Sequence, residues 1–432
     1  MEVNHMNIIQ MKEQIQGNSG KALLAKLYGE EAVAAQTERY LELMGQFEAD
    51  FGNMEVSLFT SPGRSEIGGN HTDHNYGRVL AASINLDCVG VAAKVEEPVI
   101  EFVSVTYNQR IRINLNDIEY NPKEKGTLPL VKGMLKAFKE FGYEIGGFKA
   151  YITSNVIGAA GISSSAAFEM LICSMINAFY NDGKVDVTSY AHIGKYAENN
   201  YWMKASGLLD QMACAVGGLI TIDFADPAHP VVEPVNFDFA KQNYNLMIVN
   251  TGKGHADLSE EYSAVPGEMK AVANFFGKEV LREVDPADLA KNLAAVRAKT
   301  GDRAVMRALH FFNENDRVAD EVAALKNNNF DAFLNMITES GNSSWKWLQN
   351  CYYCSEEQGI TVALAYTELF LKEKGVGACR VHGGGFAGVI MAMIPSELAD
   401  EFTEYMENLL GEGNVYRMSI RSIGAVCLDE MM

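Results

Sequence analysis

The sequence predicts an α+β protein built in two lobes, and three observations carry that prediction. Apolar residues alternate with period two in some segments of the first half and recur with a helical period in others, so strands and helices interleave there. After residue 250 long stretches of helical period dominate, closed by a strand–helix–strand unit near the C-terminus. The chain has 432 residues, 48% of them hydrophobic, which is enough for a large core, and this length suggests two or three domains. The division is expected near residues 225–245.

The elements follow in order. Residues 86–94, 99–104 and 110–114 read as strands of a meander, and 128–141 as an amphipathic helix. An alternating strand at 147–152 precedes a small-residue stretch and then a helix with Phe168, Leu171, Ile172, Ile176 and Phe179 on one face. A helix at 188–200 and a strand at 217–223 complete the first half. The second half opens with a buried strand at 246–249 and continues with helices at 267–276, 286–299 and 303–314, and others toward Lys374. Strands at 388–394 and 424–428 flank a helix at 396–410, whose start has a Ser-x-x-Ala pattern suited to an N-cap. The chain contains no internal repeat, low-complexity tract or Pro/Ser-rich linker.

Composition narrows the function. Lys and Arg number 36 against 56 Asp and Glu, a formal net charge of −20. That argues against nucleic acid or an anionic membrane as partner, since both require a basic footprint. A nucleotide remains open, because backbone N–H groups and Mg²⁺ can hold phosphate without net positive charge. No apolar run approaches the roughly 20 residues of a membrane span, and the first 17 residues lack a signal-peptide core. Seven scattered cysteines fit reduced thiols and a cytoplasmic location. Cys351 and Cys354 form a CxxC with no second pair, and are expected to be structural neighbours on a helix.

Four segments concentrate chemistry. Gly158-Ala159-Ala160-Gly161-Ile162-Ser163-Ser164-Ser165-Ala166 joins a strand to a helix, so free N–H groups and the helix dipole together favour phosphate. Its serines can cap the helix, touch phosphate or reach a magnesium ion; a plain capped turn would look the same. Ser61 to Gly77 is a polar, glycine-punctuated loop carrying Arg64, Asn70, His71, Asp73 and His74, groups that read a polyhydroxylated ligand. His71, Asp73 and His74 also admit a metal reading, although ligands alternating on a glycine loop rarely complete a site. Gly207-Leu208-Leu209-Asp210-Gln211 sets one carboxylate among apolar residues, a candidate base if an arginine keeps it ionised. Gly383-Gly384-Gly385 lets backbone approach a ligand or another loop closely.

In order and spacing these segments resemble the galactokinases of the GHMP small-molecule kinase superfamily, along nearly the whole chain after about residue 45. Phe47, Phe51-Gly52, Pro62-Gly63-Arg64 and His71-Thr72-Asp73 look like the galactokinase signature, and Gly161 to Ala166 like the ATP-phosphate loop. Ala197-Glu198 and Gly207 to Gln211 are similar to the magnesium-ligand and catalytic-aspartate segments. Asn250-Thr251 with His255 and Tyr262 resembles the stretch whose tyrosine packs on the sugar, and Gly383 to Gly388 the third superfamily motif. The chain departs from the pattern at Asn70, where the family has glutamate, at His74, where it has tyrosine, and at Glu66-Ile67-Gly68-Gly69, where it has Asn-Leu-Ile-Gly. Ile157, Ala159 and His382 also differ from the customary residues.

The resemblance implies a two-lobed GHMP-kinase fold with the active site in the cleft between lobes. It also implies a 1–25 extension, an N-terminal lobe at 26–235 and a C-terminal lobe at 236–432. The implied activity is ATP-dependent phosphorylation of the anomeric hydroxyl of galactose, with Mg²⁺ and no nucleic-acid or membrane partner, by a monomer or weak homo-oligomer. Asp210 is expected as base or orienter, with Arg64 beside it. Gly161, Ile162, Ser163, Ser164, Ser165 and Ala166 would hold ATP phosphates. Glu198, with Ser164 or Ser165, would hold the metal. Asn70, His71, Asp73, Gly207 and Tyr262 would meet the sugar, Asn70 on its C6 side. An amide at position 70 admits galacturonate as an alternative substrate, beside N-acetylgalactosamine or arabinose. A non-catalytic sugar sensor on the same fold would be expected to lack part of the serine loop or the base, and this chain has both.

Overall fold

A computed structural model describes residues 6–156, 162–204, 206–252 and 258–432. The alternating segments of the first half form one sheet: β1 (Met6–Asn7), β2 (Glu55–Gly68), β3 (Arg78–Val95), β4 (Val99–Ser104), β5 (Gln109–Asn114), β6 (Gly147–Ser154), β7 (Leu219–Asp223) and β8 (Val231–Pro234). The main path runs β1-β2-β3-β6-β4-β5, with β7 beside β3 and β8 beside β7. Every pairing is antiparallel except β4 with β6.

β3 organises the sheet because it is long. Its first part, Arg78 to Ala82, pairs with β7, and its last part, Cys88 to Val95, pairs with β6. β2 is longer than its composition suggests. The polar residues from Ser61 to Gly68, expected in a loop, continue the strand because β3 supplies ladder partners opposite them. The register slips between Pro62 and Arg64 and again between Glu66 and Gly68. Such bulges re-aim side chains.

Alternation sorts the side chains to two faces. Val89, Val91 and Ala93 join Val56 and Leu58 against α1 (Ile8–Gln16), α2 (Asn18–Tyr28) and α3 (Val33–Phe51). The opposite face, with Cys88 and Ala92, packs on α4 (Thr127–Glu140), α5 (Ser164–Tyr180) and α6 (Val187–Asn200). The N-terminal residues are part of the fold: Ile8, Met11, Ile15 and Leu24 are fully buried. Asp87 on β3 ties these helices down, accepting hydrogen bonds from Tyr28 at 2.5 Å, Arg39 at 2.7 Å and Arg421 at 2.8 Å. The short helix α7 (Leu209–Val216) leads into β7.

A second, antiparallel sheet is built from β9 (Tyr244–Asn250), β10 (Ala378–His382), β11 (Val389–Pro395) and β12 (Val415–Met418), in the order β10-β11-β9-β12. Helices α8 (Ser259–Phe275), α9 (Pro286–Lys291), α10 (Leu293–Thr300) and α11 (Asp302–Lys326) intervene, then α12 (Phe330–Ser343), α13 (Gly359–Lys374) and α14 (Ala399–Leu410). Met247 and Val249 face the side covered by α13 and α14, whereas Leu246 and Ile248 share one core with α12 and the first sheet. The last strand, β13 (Val426–Cys427), returns to pair with β2. The first sheet thus has nine strands among the described residues.

Local differences from the expected elements have local causes. The helix expected at 286–299 is broken at Asn292, which ends α9 and caps α10. α11 runs twelve residues past Glu314 because Val318, Val322 and Leu325 keep its apolar face buried. Cys351 and Cys354 lie in bends before α13 rather than on a helix, and all seven thiols are free.

Candidate active site

The site is set by how closely β2 approaches the start of α5. Arg64, opposite Ser83 of β3 in the ladder, donates its backbone N–H to the carbonyl of Ile162 at 3.1 Å. Gly63 permits this approach, since a Cβ there would stand 2.8 Å from the same carbonyl. Ser163 then takes a left-handed conformation (φ 60°) and leads into α5, with no side-chain cap. The first N–H groups of the helix, from Ser164 to Ala166, precede the first intrahelical donor, Ala167, and form an anion site. Gly161 and His255 lie outside the described residues.

On one side of this turn is a polar cavity of about 320 Å³. Arg64 and Asp210 form its floor: Nε and Nη2 of the buried arginine lie 2.9 and 2.8 Å from Oδ1 of the carboxylate. Burial would raise the pKa of Asp210, but the Arg64 charge, helped by the Ser163 side chain and by Lys204, holds it below the ordinary carboxylate value. Asp210 is therefore a charged acceptor at neutral pH.

The walls come from three loops. Asp73 reaches over Gly207, where a Cβ would stand 3.0 Å from its Oδ2. His71 donates from Nε2 to the carbonyl of Gly384 at 2.9 Å. Burial, and next the neighbouring His74, push its pKa down to about 3, so the ring is neutral. Tyr262 donates to the carbonyl of Gly385 at 2.8 Å and lies so close over Gly384 that any side chain there would overlap its ring. The three-glycine stretch is thus a seat for this tyrosine.

Asn70 departs from expectation. Its side chain is fully buried and does not line the cavity. Nδ2 donates to Glu66 Oε1 at 2.9 Å and to the carbonyl of Gly383 at 2.7 Å, while Oδ1 accepts from Asn350 at 2.9 Å and Ser344 at 3.3 Å. With all four capacities filled, the amide has nothing left for a ligand. Glu66 lines the cavity instead.

Glu198, almost fully buried, lies behind Asp210. Its Oε1 takes a hydrogen bond from Lys204 Nζ at 2.8 Å and a long one from Ser165 Oγ at 3.4 Å. Gln211 Nε2 bridges Glu198 Oε2 at 3.2 Å and Glu169 Oε2 at 3.1 Å. Burial, and then the Glu198 charge, raise the Glu169 pKa well above the carboxylate range, so this pair has one charge rather than two. A hydroxyl and a carboxylate side by side at a helix N-terminus are hard oxygen donors suited to Mg²⁺, and a Lys ammonium already sits against Oε1 where a cation would.

On the other side of the serines lies a second cavity, of about 550 Å³, floored by Ser164 and Ser165 and walled by Phe102, Tyr107, Ile111, Leu130, Phe168 and Trp202. These residues come from β4, the turn before β5, β5 itself, α4, α5 and the turn after α6. The sequence had not marked this cavity, Lys204 or Glu169, and had marked Glu66 only as a departure from the family pattern.

Comparison with known proteins identifies the family. The galactokinase galactose-binding signature matches residues 45–94, and the GHMP kinase N-terminal domain matches 129–218. A galactokinase of Clostridium perfringens (strain ATCC 13124) is 30% identical over 392 residues, covering 88% of this chain and 97% of that protein. A galactokinase of Clostridium tetani is 29% identical, covering 85% and 91%. The crystal structure of Lactococcus lactis galactokinase complexed with galactose superposes with a TM-score of 0.74 at 26% identity, covering 88% of this chain and 98% of that one. A mevalonate kinase of Methanococcus jannaschii, 17% identical with a TM-score of 0.59, shares the fold. The chain belongs to the galactokinase family and has the GHMP kinase fold.

Proposed function

We infer that this chain is an ATP-dependent galactose kinase whose polar cavity takes the sugar, and that it makes α-D-galactose 1-phosphate. One observation carries this reading: a carboxylate held ionised by Arg64 stands beside a serine-rich helix N-terminus that separates a cavity lined by charged side chains from one lined by none. The polar cavity suits a hexose. The uncharged cavity, with the rings of Phe102, Tyr107, Phe168 and Trp202 in its walls, suits a nucleotide base, with its phosphates leading to the N–H groups from Ser164 to Ala166.

The chemistry follows from charge. In a loose phosphoryl transfer the attacking hydroxyl keeps its proton until late, so a weak base that orients it is sufficient. Asp210 fits that role: its oxygen accepts the anomeric hydroxyl's hydrogen bond, aims the lone pair and takes the proton as the O–P bond completes. Arg64 keeps Asp210 anionic and offsets the charge moving toward the sugar. Ser165 and Glu198 would hold Mg²⁺, which neutralises phosphate charge when bound, and Lys204 must then give up its hold on Glu198 Oε1. Asp73 and neutral His71 would face ring hydroxyls, and Tyr262 the sugar's apolar face. The seven free thiols suit the cytoplasm.

The test is a panel of sugars incubated with ATP and Mg²⁺, following ADP release and locating the phosphate by ³¹P NMR. Turnover with galactose, giving a single 1-phosphate, is expected. Turnover only with galacturonate would keep the mechanism and replace the substrate, while sugar binding without ADP release would favour a sensor.

A further inference from the structure

The family has a carboxylate at position 70, but here the Asn70 amide does not line the cavity, and Glu66 lines it instead, beside Asp73 and Asp210. Glu66 lies one strand bulge before Asn70, and the register slip between Glu66 and Gly68 turns it toward the cavity that Asn70 does not line. It is held there firmly. Arg380, itself fully buried, donates to Oε1 at 2.6 Å, and Asn70 donates to the same oxygen at 2.9 Å. Its backbone N–H donates to His382 Nε2 at 3.2 Å. The other oxygen, Oε2, makes no hydrogen bond among the described residues, although the side chain borders the cavity.

We propose that Glu66 is the specificity determinant of the sugar cavity: Oε2 accepts a hydrogen bond from one sugar hydroxyl, and the carboxylate's charge rejects sugars that bear a carboxylate of their own. This rests on the reading that the polar cavity holds the sugar. The physical argument has two parts. A carboxylate with one oxygen clamped and one open presents a rigid acceptor, so it binds a hydroxyl without first having to be ordered. A site built to pair with a hydroxyl discriminates sharply against an analogue that lacks it, because the site's own polar group is left unpaired. Asn70 is then a positioning residue that orients Glu66. It would act on the sugar only through that carboxylate.

The experiment compares parent and Glu66→Gln enzymes on galactose, on its 2-, 3-, 4- and 6-deoxy analogues and on galacturonate, reading kcat and KM for each. For the parent, one deoxy analogue should be disfavoured by roughly 10²-fold or more in kcat/KM, and galacturonate should not turn over. In Glu66→Gln that one penalty should shrink at least tenfold, the other deoxy penalties should persist, and galacturonate turnover should appear. The KM for ATP should not move. Should Glu66→Gln fail to fold, Glu66→Asp retains the charge and withdraws the oxygen. It should lose the hydroxyl preference and keep rejecting galacturonate. Identical deoxy-sugar penalties in parent and folded variants would overturn the proposal and leave the kinase reading standing. A parent that phosphorylates neither galactose nor galacturonate would overturn both.

Discussion

The two cavities on either side of the α5 N-terminus are built on opposite principles. The sugar-side cavity is a lattice of charge: Arg64 clamps Asp210, Arg380 clamps Glu66, and Lys204 leans on Glu198. The other is lined by no charged residue: rings and aliphatic side chains alternate there with uncharged polar groups, among them Ser104, Thr106, Asn108, Gln109 and the two helix serines. The difference teaches that position and energy are supplied separately. Buried ion pairs add little net stability, but they fix atoms in place and are costly to break. Apolar walls contribute affinity in proportion to buried area and tolerate small shifts.

Substitutions on each side should therefore behave differently. Arg64→Ala should have the largest effect of these, lowering kcat by about 10²–10³, because it removes the donor facing the developing charge and frees Asp210 from its countercharge. Steady-state kinetics together with thermal unfolding of the same sample checks it; a loss explained by unfolding alone would reduce the pair to structure. Glu198→Gln should raise the Mg²⁺ concentration for half-maximal rate by about 10–100-fold with little change in the galactose KM. An unchanged Mg²⁺ titration would move the metal elsewhere.

Across the turn, Trp202→Ala should raise the KM for ATP by roughly 5–30-fold, the equivalent of about 1–2 kcal/mol of lost apolar contact, and leave the galactose KM alone. A change in the galactose KM instead would undo the division of labour between the cavities.

How much of this was legible in the sequence depended on the same contrast. Arg64, His71 and Asp73 stand within ten residues of one another, and charge concentrated between apolar strands is conspicuous because solubility does not require it there. The walls of the uncharged cavity are gathered from Phe102, Ile111, Leu130, Phe168 and Trp202, each of which reads as ordinary core. The exchange of Asn70 for Glu66 was hidden by a bulge. Strand periodicity assigns faces two by two, and one inserted residue reverses the assignment. The interleaving of strands and helices was legible, whereas the return of β13 to the first sheet depends on a contact between residues 59 and 427 that no local pattern encodes.

One expected effect touches stability rather than turnover and is confined to the polar side. His71 is held neutral, with its pKa near 3 in the fold against an ordinary value of 6.5. Its contribution is intact above about pH 6.5 and is lost as pH falls toward 3, because the unfolded chain binds a proton that the folded one refuses. Between pH 7 and 5 the parent should lose about 2 kcal/mol more stability than His71→Gln, as read by urea unfolding. Parallel pH profiles would mean that His71 is protonated in the fold.

The measurement closest to the central claim is the turnover of Asp210→Asn, set against its galactose and ATP affinities by calorimetry. The amide preserves shape but turns one acceptor oxygen into a donor and removes the charge that orients the hydroxyl and receives its proton. The account predicts a folded enzyme, less stable by the loss of the Arg64 pair, with both ligands bound within a few-fold of the parent and kcat lowered by about 10²–10⁴. An Asp210→Asn enzyme that turns galactose over at nearly the parent rate would contradict it.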